Sequence, residues 1–286
     1  GIRDTNSGLV GSEMCIRDSF ESVGSTISET LYLPGGHDGA RMPAVVVTGA
    51  WTTVKEQMPA TYAREPAERG FAALTFDFRG WGRSDDLLGG VRYREDPAEK
   101  TRDIRAAFDF AATLPEMDAT RINGLGICAS AGYTVDAAAG NDRVARIGLV
   151  APWLQNAEIV EAVYGGPEGV HGLIEIGRAA EAAGGQITPA AGPEGTEGVL
   201  MPLDGYCVDP ARGAIPGIRQ PLEPGILGRL AALPPGGWRG SADPAACDRP
   251  LRGGGNPGRR TRLSQRVCQR CDPAVARRCD AVRLLR

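Results

Sequence analysis

The chain has 286 residues, of which 42% are hydrophobic and 23% are charged, a balance typical of a globular protein with a sizeable core. This length allows one large α/β domain or two smaller ones. The formal net charge of −3 gives no reason to expect nucleic acid as a partner, and no apolar run approaches the roughly 18 residues of a membrane span. We therefore expect neither nucleic acid nor a membrane to be a partner.

The first 19 residues differ from the rest of the chain. The sequence Ile-Arg-Asp-Thr at residues 2–5 nearly repeats as Ile-Arg-Asp-Ser at residues 16–19. The block GLVGSEMCIRDS resembles a translated adapter sequence of the kind that contaminates assembled metagenomic reads. We expect residues 1–19 to be an artefactual or disordered leader and leave them out of the predicted fold. No short apolar segment follows a basic start, so we predict no signal peptide.

Residues 20–217 alternate between predicted strands and helices. In chain order, the pattern predicts a strand at 26–33, a strand at 44–48, a helix at 56–69, a strand at 71–77, a helix from 97 to 114, a strand at 121–127, a helix at 131–139 and a strand at 144–151. Short apolar runs such as AVVVT at 44–48 are typical of buried parallel strands. The sequence therefore predicts an α/β fold with a mostly parallel sheet and helices on both faces.

Two of the predicted helices carry local signals of their own. Asp96 is a good N-cap and Pro97 suits the first helical position, so a helix is expected to begin there. Pro66 falls inside the predicted helix at 56–69, which conflicts with a regular helix. At 155–215 Gly-rich turns replace the alternation, and we expect an insertion or lid over the carboxyl edge of the sheet.

The last 69 residues, 218–286, have an unusual composition. They contain 14 Arg against 5 acidic residues, together with 9 Gly, 8 Pro and four of the seven Cys. One interpretation is GC-rich coding sequence read out of frame after a frameshift, and a second is a disordered basic arm. A third is a zinc module, because Cys268 and Cys271 are followed by Cys279, but a zinc site needs two regularly spaced ligand pairs. We predict the first and expect no metal.

Cysteine use within residues 20–217 is sparse. Only Cys128 and Cys207 occur there, so no disulfide framework is predicted. A reducing, cytoplasmic setting fits this pattern best.

Small residues surround two possible nucleophiles in the sequence GLGICASAGY at 124–133, where a strand meets a helix. A nucleophile elbow is a tight, strained turn that needs a small residue two positions before and two after the nucleophile. Cys128 satisfies this with Gly126 and Ser130, and Ser130 satisfies it with Cys128 and Gly132. Strand length favours Cys128, and a helix N-terminus would stabilise its thiolate. Both remain candidates, and an ordinary Gly-rich turn around a buried cysteine is the alternative.

Two further motifs follow predicted strands. DFRGWGRS at 77–84 follows the strand at 71–77, and TGAWTTVKE at 48–56 follows the strand at 44–48. Taken alone, the glycines at 77–84 indicate only a turn with positive φ. Their position in the chain ahead of the elbow makes the motif more specific.

Together these motifs resemble the α/β-hydrolase superfamily, in which D-x-R-G-x-G-x-S follows the fourth strand and the elbow follows the fifth. GAWTTVKEQ, FDFRGWGRSD and GICASAGY are similar to the branch near dienelactone hydrolases and Xaa-Pro dipeptidyl-peptidase-like hydrolases. The resemblance covers residues 25–217 and implies an α/β-hydrolase fold that is incomplete at the C-terminus. It also implies a mechanism without a cofactor and an oxyanion hole built from the backbone N–H groups of Ala129 and of Trp51 or Thr52. The side chain of Trp51 could equally cap the core.

The resemblance further implies an acid and a histidine beyond about residue 220, where this chain has no histidine. The chain has only His37, in an early turn, and His171, in the predicted lid. A nucleophile without its base loses most of its activation. We predict a hydrolase of small esters, lactones or thioesters that forms an acyl-enzyme, with this chain an inactive copy as one interpretation. The alternative is a non-catalytic binding module with a hydrolase-like pocket, and the oligomeric state is not predicted.

Overall fold

The computed structural model describes most of the N-terminal two-thirds of the chain. The described residues are 13–154, 156–182, 188–189, 191–192, 201–202, 206, 209, 211–213, 215 and 221–222. The chain divides into two units, residues 1–240 and 241–286, and every described residue lies in the first. Cys207, residues 1–12 and all of the predicted tail except 221–222 lie outside the described residues.

The described residues form ten strands and five helices. They are β1 (Glu13–Ser22), β2 (Ser25–Pro34), β3 (Met42–Thr48), α1 (Met58–Glu68), β4 (Ala72–Phe76), α2 (Pro97–Ala111), β5 (Met117–Ile127), α3 (Ser130–Ala138), β6 (Val144–Val150), α4 (Ala157–Val163), α5 (Gly166–Ala182), β7 (Thr188–Pro189), β8 (Ala191–Gly192), β9 (Met201–Pro202) and β10 (Pro221–Leu222).

The main sheet of the described residues has six strands in the order β1-β2-β4-β3-β5-β6. Strands β4, β3, β5 and β6 run parallel to one another, whereas β2 pairs antiparallel with both β1 and β4. The predicted alternation of strands and helices, and the mostly parallel sheet that it implies, are confirmed. The carboxyl ends of β3, β4 and β5 therefore lie at one edge of the sheet, which is where such folds place their sites.

The side chains of β3 alternate between two apolar clusters, one on each face of the sheet. Ala44 and Val46 belong to the cluster that includes residues of α2 and α3, whereas Val45 and Val47 belong to the cluster that includes residues of α1. All four are buried. Helices on both faces are thus confirmed, and burial on both sides explains why this strand reads as a continuous apolar run.

Helix α2 begins as the sequence predicts. The Asp96 carboxylate accepts hydrogen bonds from the backbone N–H groups of Ala98 and Glu99, at 3.0 and 3.1 Å, and Pro97 occupies the first turn. Such a cap contributes about 1 kcal/mol to stability. About three turns further on, Phe108 is fully buried on the face that meets the sheet. In α1, Pro66 lies in the last turn and the helix ends two residues later at Glu68, as expected for a residue that cannot donate the next helical hydrogen bond.

Residues 13–19 depart from the prediction. The sequence predicts a leader at 1–19 that takes no part in the fold, but Glu13–Ser22 form β1 and pair along their whole length with β2. Two neighbouring residues reach opposite faces of the sheet, with Cys15 packed against one apolar cluster and Ile16 against the other. Phe20 stacks on Phe110 of α2 at 5.0 Å between ring centroids. Neighbouring side chains of β1 point to opposite faces of the sheet, as they do in any strand. This alternation explains why these residues fit into the sheet, and resemblance to an adapter sequence does not predict it.

The predicted insertion at 155–215 contains α4 and α5. Tyr164, at the end of α4, and Leu173 of α5 pack against the cluster on the α2 and α3 face. The Gln57 amide, after β3, donates a hydrogen bond to the Gly213 carbonyl at 2.7 Å. None of the described helices combines the length and the apolar character that crossing a membrane requires.

Candidate active site

Cys128 occupies a strained turn between β5 and α3. Its φ of +56° lies in the left-handed region, which costs a residue other than glycine roughly 1–2 kcal/mol. The backbone holds it there, because the Cys128 N–H donates to the Val150 carbonyl at 3.0 Å. The Cys128 carbonyl in turn accepts from the N–H groups of Ala131 and Trp153, at 3.1 and 3.0 Å. A left-handed residue at a strand-to-helix junction is the geometry of a nucleophile elbow.

Gly126 allows α3 to pack directly on β5. A Cβ at this position would lie 2.7 Å from the Ala131 Cα atom and 2.8 Å from the Ser130 carbonyl oxygen. Both distances are too short for a real contact, so the close approach of helix and strand requires glycine here. The elbow pattern predicts a small residue two positions before Cys128, and the close packing of α3 on β5 explains why it must be small.

Ser130 differs from Cys128 in both burial and contacts. It is the first residue of α3, is fully buried, and its hydroxyl donates a hydrogen bond to the Gly49 carbonyl in the loop after β3. The Cys128 side chain is only partly buried. The geometry thus favours Cys128 as the nucleophile, while Ser130 fastens the neighbouring loop to the helix.

The environment of the Cys128 thiol opposes ionisation. Burial raises the pKa of Cys128, a hydrogen bond from the Ala129 backbone N–H lowers it, and the negative charge of Glu95 raises it again; the net pKa is above the ordinary value. The sequence predicts a stabilised thiolate at the N-terminus of α3. Desolvation outweighs that effect here, because the charged form loses more by leaving water than it gains from one N–H group.

The loop after β3 presents the predicted oxyanion donors. The Thr52 N–H donates to the Glu95 carboxylate at 2.7 Å, with Thr52 itself at a φ of +60°. The Trp51 indole N–H donates to the Tyr133 hydroxyl at 3.1 Å. Since the Thr52 N–H already has a carboxylate acceptor, the Trp51 backbone N–H is the remaining candidate donor of the two predicted in this loop. The Trp51 side chain is buried in the core, which agrees with the prediction that it caps the core.

Asp77, the first residue of the DFRGWGRS motif, joins the loops that follow β3 and β4. Its carboxylate accepts hydrogen bonds from the backbone N–H and the ammonium of Lys55, and from the Arg83 backbone N–H at 3.0 Å. Burial raises the pKa of Asp77, and the Lys55 ammonium opposes that shift. A Cβ on Gly82 would lie 2.3 Å from the Asp77 carboxyl carbon, so the motif needs glycine at that position. The aspartate and glycine of this motif therefore position the loops of the site.

A second buried ion pair was missed by sequence reasoning. Glu95 and Lys100 are almost fully buried, and the Lys100 ammonium donates to Glu95 Oε1 at 2.6 Å. The sequence contains one hint of this pair, because Lys55 and Lys100 are the only lysines among 32 basic residues. Both are buried partners of carboxylates, Lys55 of Asp77 and Lys100 of Glu95. Glu95 itself gave no signal, because it reads as one more polar residue ahead of a helix cap.

Neither histidine lies at the elbow. His37 is partly exposed in the turn after β2, and His171 is exposed on α5. In the described part of the chain, no hydrogen bond joins either histidine to Cys128, and no group of three or more His, Cys, Asp or Glu side chains could hold a metal ion. The described residues at the elbow therefore comprise a candidate nucleophile, Cys128, and backbone N–H groups, with no histidine hydrogen-bonded to the thiol.

The topology, the elbow after β5 and the loops after β3 and β4 define the class: the chain has the α/β-hydrolase fold. The crystal structure of PA2218 from Pseudomonas aeruginosa superposes with a TM-score of 0.67 at 25% identity, over 81% of this chain and 75% of that one. The α/β hydrolase GrgF from Penicillium sp. sh18 superposes with a TM-score of 0.59 at 19% identity, over 76% and 73% of the two chains. The predicted fold class is confirmed.

Curated relatives match only parts of the chain, and no protein-family model matches it. PA2218 of Pseudomonas aeruginosa, an uncharacterised protein, is 41% identical over 121 residues, which are 42% of this chain and 32% of PA2218. The polyketide transferase claH of Penicillium crustosum is 33% identical over 129 residues, 45% of this chain and 41% of claH. A thiohydrolase of Eupenicillium brefeldianum is 34% identical over 104 residues, 36% of this chain and 33% of that protein. The chain thus spans less than half the length of these relatives.

Proposed function

We propose that the protein hydrolyses small esters, lactones or thioesters through an acyl-enzyme on Cys128. The observation that carries the proposal is the left-handed turn at Cys128, which presents a thiol at the carboxyl end of β5 and at the N-terminus of α3. Backbone strain of this kind persists only where the surrounding structure enforces it, and it concentrates at functional sites. The full burial of Ser130 supports the same choice of nucleophile.

The proposed reaction has two steps. The thiol first loses its proton to solvent water, which later returns a proton to the departing alcohol or thiol. The Cys128 sulfur then attacks the substrate carbonyl while the N–H groups of Ala129 and Trp51 bind the developing oxyanion. Collapse of this intermediate expels the alcohol or thiol and leaves a thioester on Cys128. Water attacks that thioester in the second step, which releases the acid and restores the thiol.

The relatives support acyl chemistry on thioester-like substrates. Two of them are named a thiohydrolase and a polyketide transferase. Within the superfamily we propose the dienelactone-hydrolase-like branch, because a cysteine stands at the elbow. Dienelactone hydrolases have the elbow G-x-C-x-G, and Ser130 replaces the second glycine here. We also propose that residues 155–215 form a lid over this site.

The test is steady-state hydrolysis of p-nitrophenyl acetate and of a short acyl thioester by the full chain. Cys128→Ala is expected to lower kcat/KM at least 100-fold, whereas Cys15→Ala, which removes the cysteine of β1, is expected to keep it within twofold. Turnover that survives in Cys128→Ala would overturn the proposal. A thermal shift on ligand binding without any turnover in the wild type would favour the binding module instead.

A further inference from the structure

We propose that Glu95 is a positioning residue that fixes the oxyanion loop, residues 49–57, through a hydrogen bond to the Thr52 N–H. This inference rests on the proposed function, because it gives the loop a role in acyl transfer. The contact itself is independent of any chemistry. The Glu95 Oε1 atom accepts from the Thr52 N–H at 2.7 Å across 43 residues of sequence.

The loop conformation at this contact is unusual. Thr52 has a φ of +60°, which is uncommon for a β-branched residue and persists only when surrounding contacts enforce it. The residue before it, Trp51, is the candidate donor to the oxyanion. Because the two N–H groups belong to consecutive residues, the acceptor that holds Thr52 also sets the direction of the Trp51 N–H. A donor must lie about 2.7–3.1 Å from the oxyanion to be useful, so small rotations of this loop matter.

Glu95 is itself held rigidly. It is fully buried, and the Lys100 ammonium reaches the same Oε1 atom at 2.6 Å, so two donors converge on one oxygen. Lys100 is in turn fixed over the rings of Phe78 and Trp81, at 4.4 and 5.1 Å from their centroids. The other oxygen, Oε2, is buried and has no hydrogen-bond partner among the described residues. A buried carboxylate with one unsatisfied oxygen is costly for folding alone, which points to a role at the neighbouring site.

The surroundings of Glu95 place it beside the chemistry. Its charge acts on the Cys128 thiol and on the Tyr133 hydroxyl of α3, which receives the Trp51 indole N–H. Glu95 therefore lies under the same loop that Trp51 and Thr52 form, between the elbow and α2. The geometry makes it a support for the oxyanion loop, and it assigns no proton transfer to the carboxylate.

Three variants separate positioning from simple stability. Glu95→Gln, made in a Lys100→Met background so that no buried ammonium is left unpaired, keeps an oxygen that can accept from Thr52 but removes the charge. The double variant Glu95→Leu with Lys100→Met removes the acceptor without leaving a buried, unpaired ammonium, since apolar replacement of a whole buried pair is often neutral for stability. Asp86→Asn removes an exposed carboxylate from the same β4–α2 connection and is the matched control.

The experiment combines kinetics with amide hydrogen exchange at Thr52 and thermal unfolding, all on the full chain. We expect the Glu95→Leu double variant to lower kcat by about 100-fold with KM within threefold, a loss of the size that misplacement by about 1 Å can cause. It should also speed amide exchange at Thr52 at least tenfold while Tm stays close to that of the wild type. Glu95→Gln in the Lys100→Met background should recover at least tenfold of the lost kcat, and Asp86→Asn should match the wild type.

Two results would overturn the inference. One is a Glu95→Leu double variant that folds and keeps either the wild-type kcat or slow exchange at Thr52. The other is a loss of kcat that follows the fraction of unfolded protein, with no recovery in Glu95→Gln. If the wild type shows no turnover, the proposed function fails, and exchange at Thr52 still decides whether Glu95 fixes the loop.

Discussion

Replacing Gly126 by alanine should destabilise the protein through the contact between β5 and α3. The added Cβ would lie 2.7 Å from the Ala131 Cα, 2.8 Å from the Ser130 carbonyl oxygen and 2.9 Å from the Thr134 hydroxyl. The first two are backbone atoms, so they cannot rotate away as a side chain can. Overpacking of a core costs about 1–3 kcal/mol, and we expect about 3 kcal/mol because the whole helix must move.

Gly172→Ala is the matched control. Gly172 lies in α5 with nothing within 4 Å of an added Cβ, and its φ is not positive. Alanine there should raise the free energy of unfolding by up to about 1 kcal/mol, because glycine is the poorer helix former. Urea unfolding followed by circular dichroism measures both variants, and a shift in midpoint at constant slope reports stability. If Gly126→Ala unfolded within about 0.5 kcal/mol of the wild type, the direct contact between helix and strand would be refuted.

Three further predictions follow from buried charges. Asp77→Asn should lower the free energy of unfolding by about 3 kcal/mol in urea titrations, because Glu56, at 3.2 Å, is then the one carboxylate left to Lys55 among the described residues. A change below about 1 kcal/mol would contradict this. Burial raises the pKa of Asp136 to about 6 from 3.8, so its stabilising contribution is present below pH 3.8 and is lost as pH rises through 6. Asp136→Asn should thus raise Tm at pH 7, by the equivalent of about 1 kcal/mol after solvent screening, and leave Tm unchanged at pH 3.5; an equal gain at both values would refute it. Because the pKa of Cys128 is raised, iodoacetamide should alkylate it more slowly than free cysteine at pH 7, with a rate that climbs into the alkaline range; a rate already at its plateau at pH 7 would show the opposite.

The fold was readable from the sequence where local signals agreed. Apolar runs predicted β3 and β4, the Asp96-Pro97 pair predicted the start of α2, and small residues around Cys128 predicted a tight turn after β5. Each of these signals lies within a few residues of the structure that it predicts. β1 was missed for the opposite reason, because its pairing with β2 becomes visible only when the second strand is considered with it.

The sequence predicted the position of the candidate site but not the contacts among its residues. The choice between Cys128 and Ser130 depends on which side chain the packing of α3 leaves accessible, and spacing alone leaves that open. The partner of the Thr52 N–H, Glu95, is 43 residues away, and the partner of the Lys55 ammonium, Asp77, is 22 residues away. Such contacts depend on how the loops after β3 and β4 meet, which no local pattern encodes.

The most direct test of the account is to locate the acyl group during turnover. The full chain would be mixed with a short acyl thioester, quenched in acid within seconds, digested and sequenced by tandem mass spectrometry so that Cys128 and Ser130 are distinguished. If Cys128 forms the acyl-enzyme, we expect an acyl mass on Cys128 that is absent from Ser130 and Cys15. Neutral hydroxylamine should remove it. An acyl group on Ser130, or hydrolysis with no acyl group on Cys128 at any time point, would contradict the account.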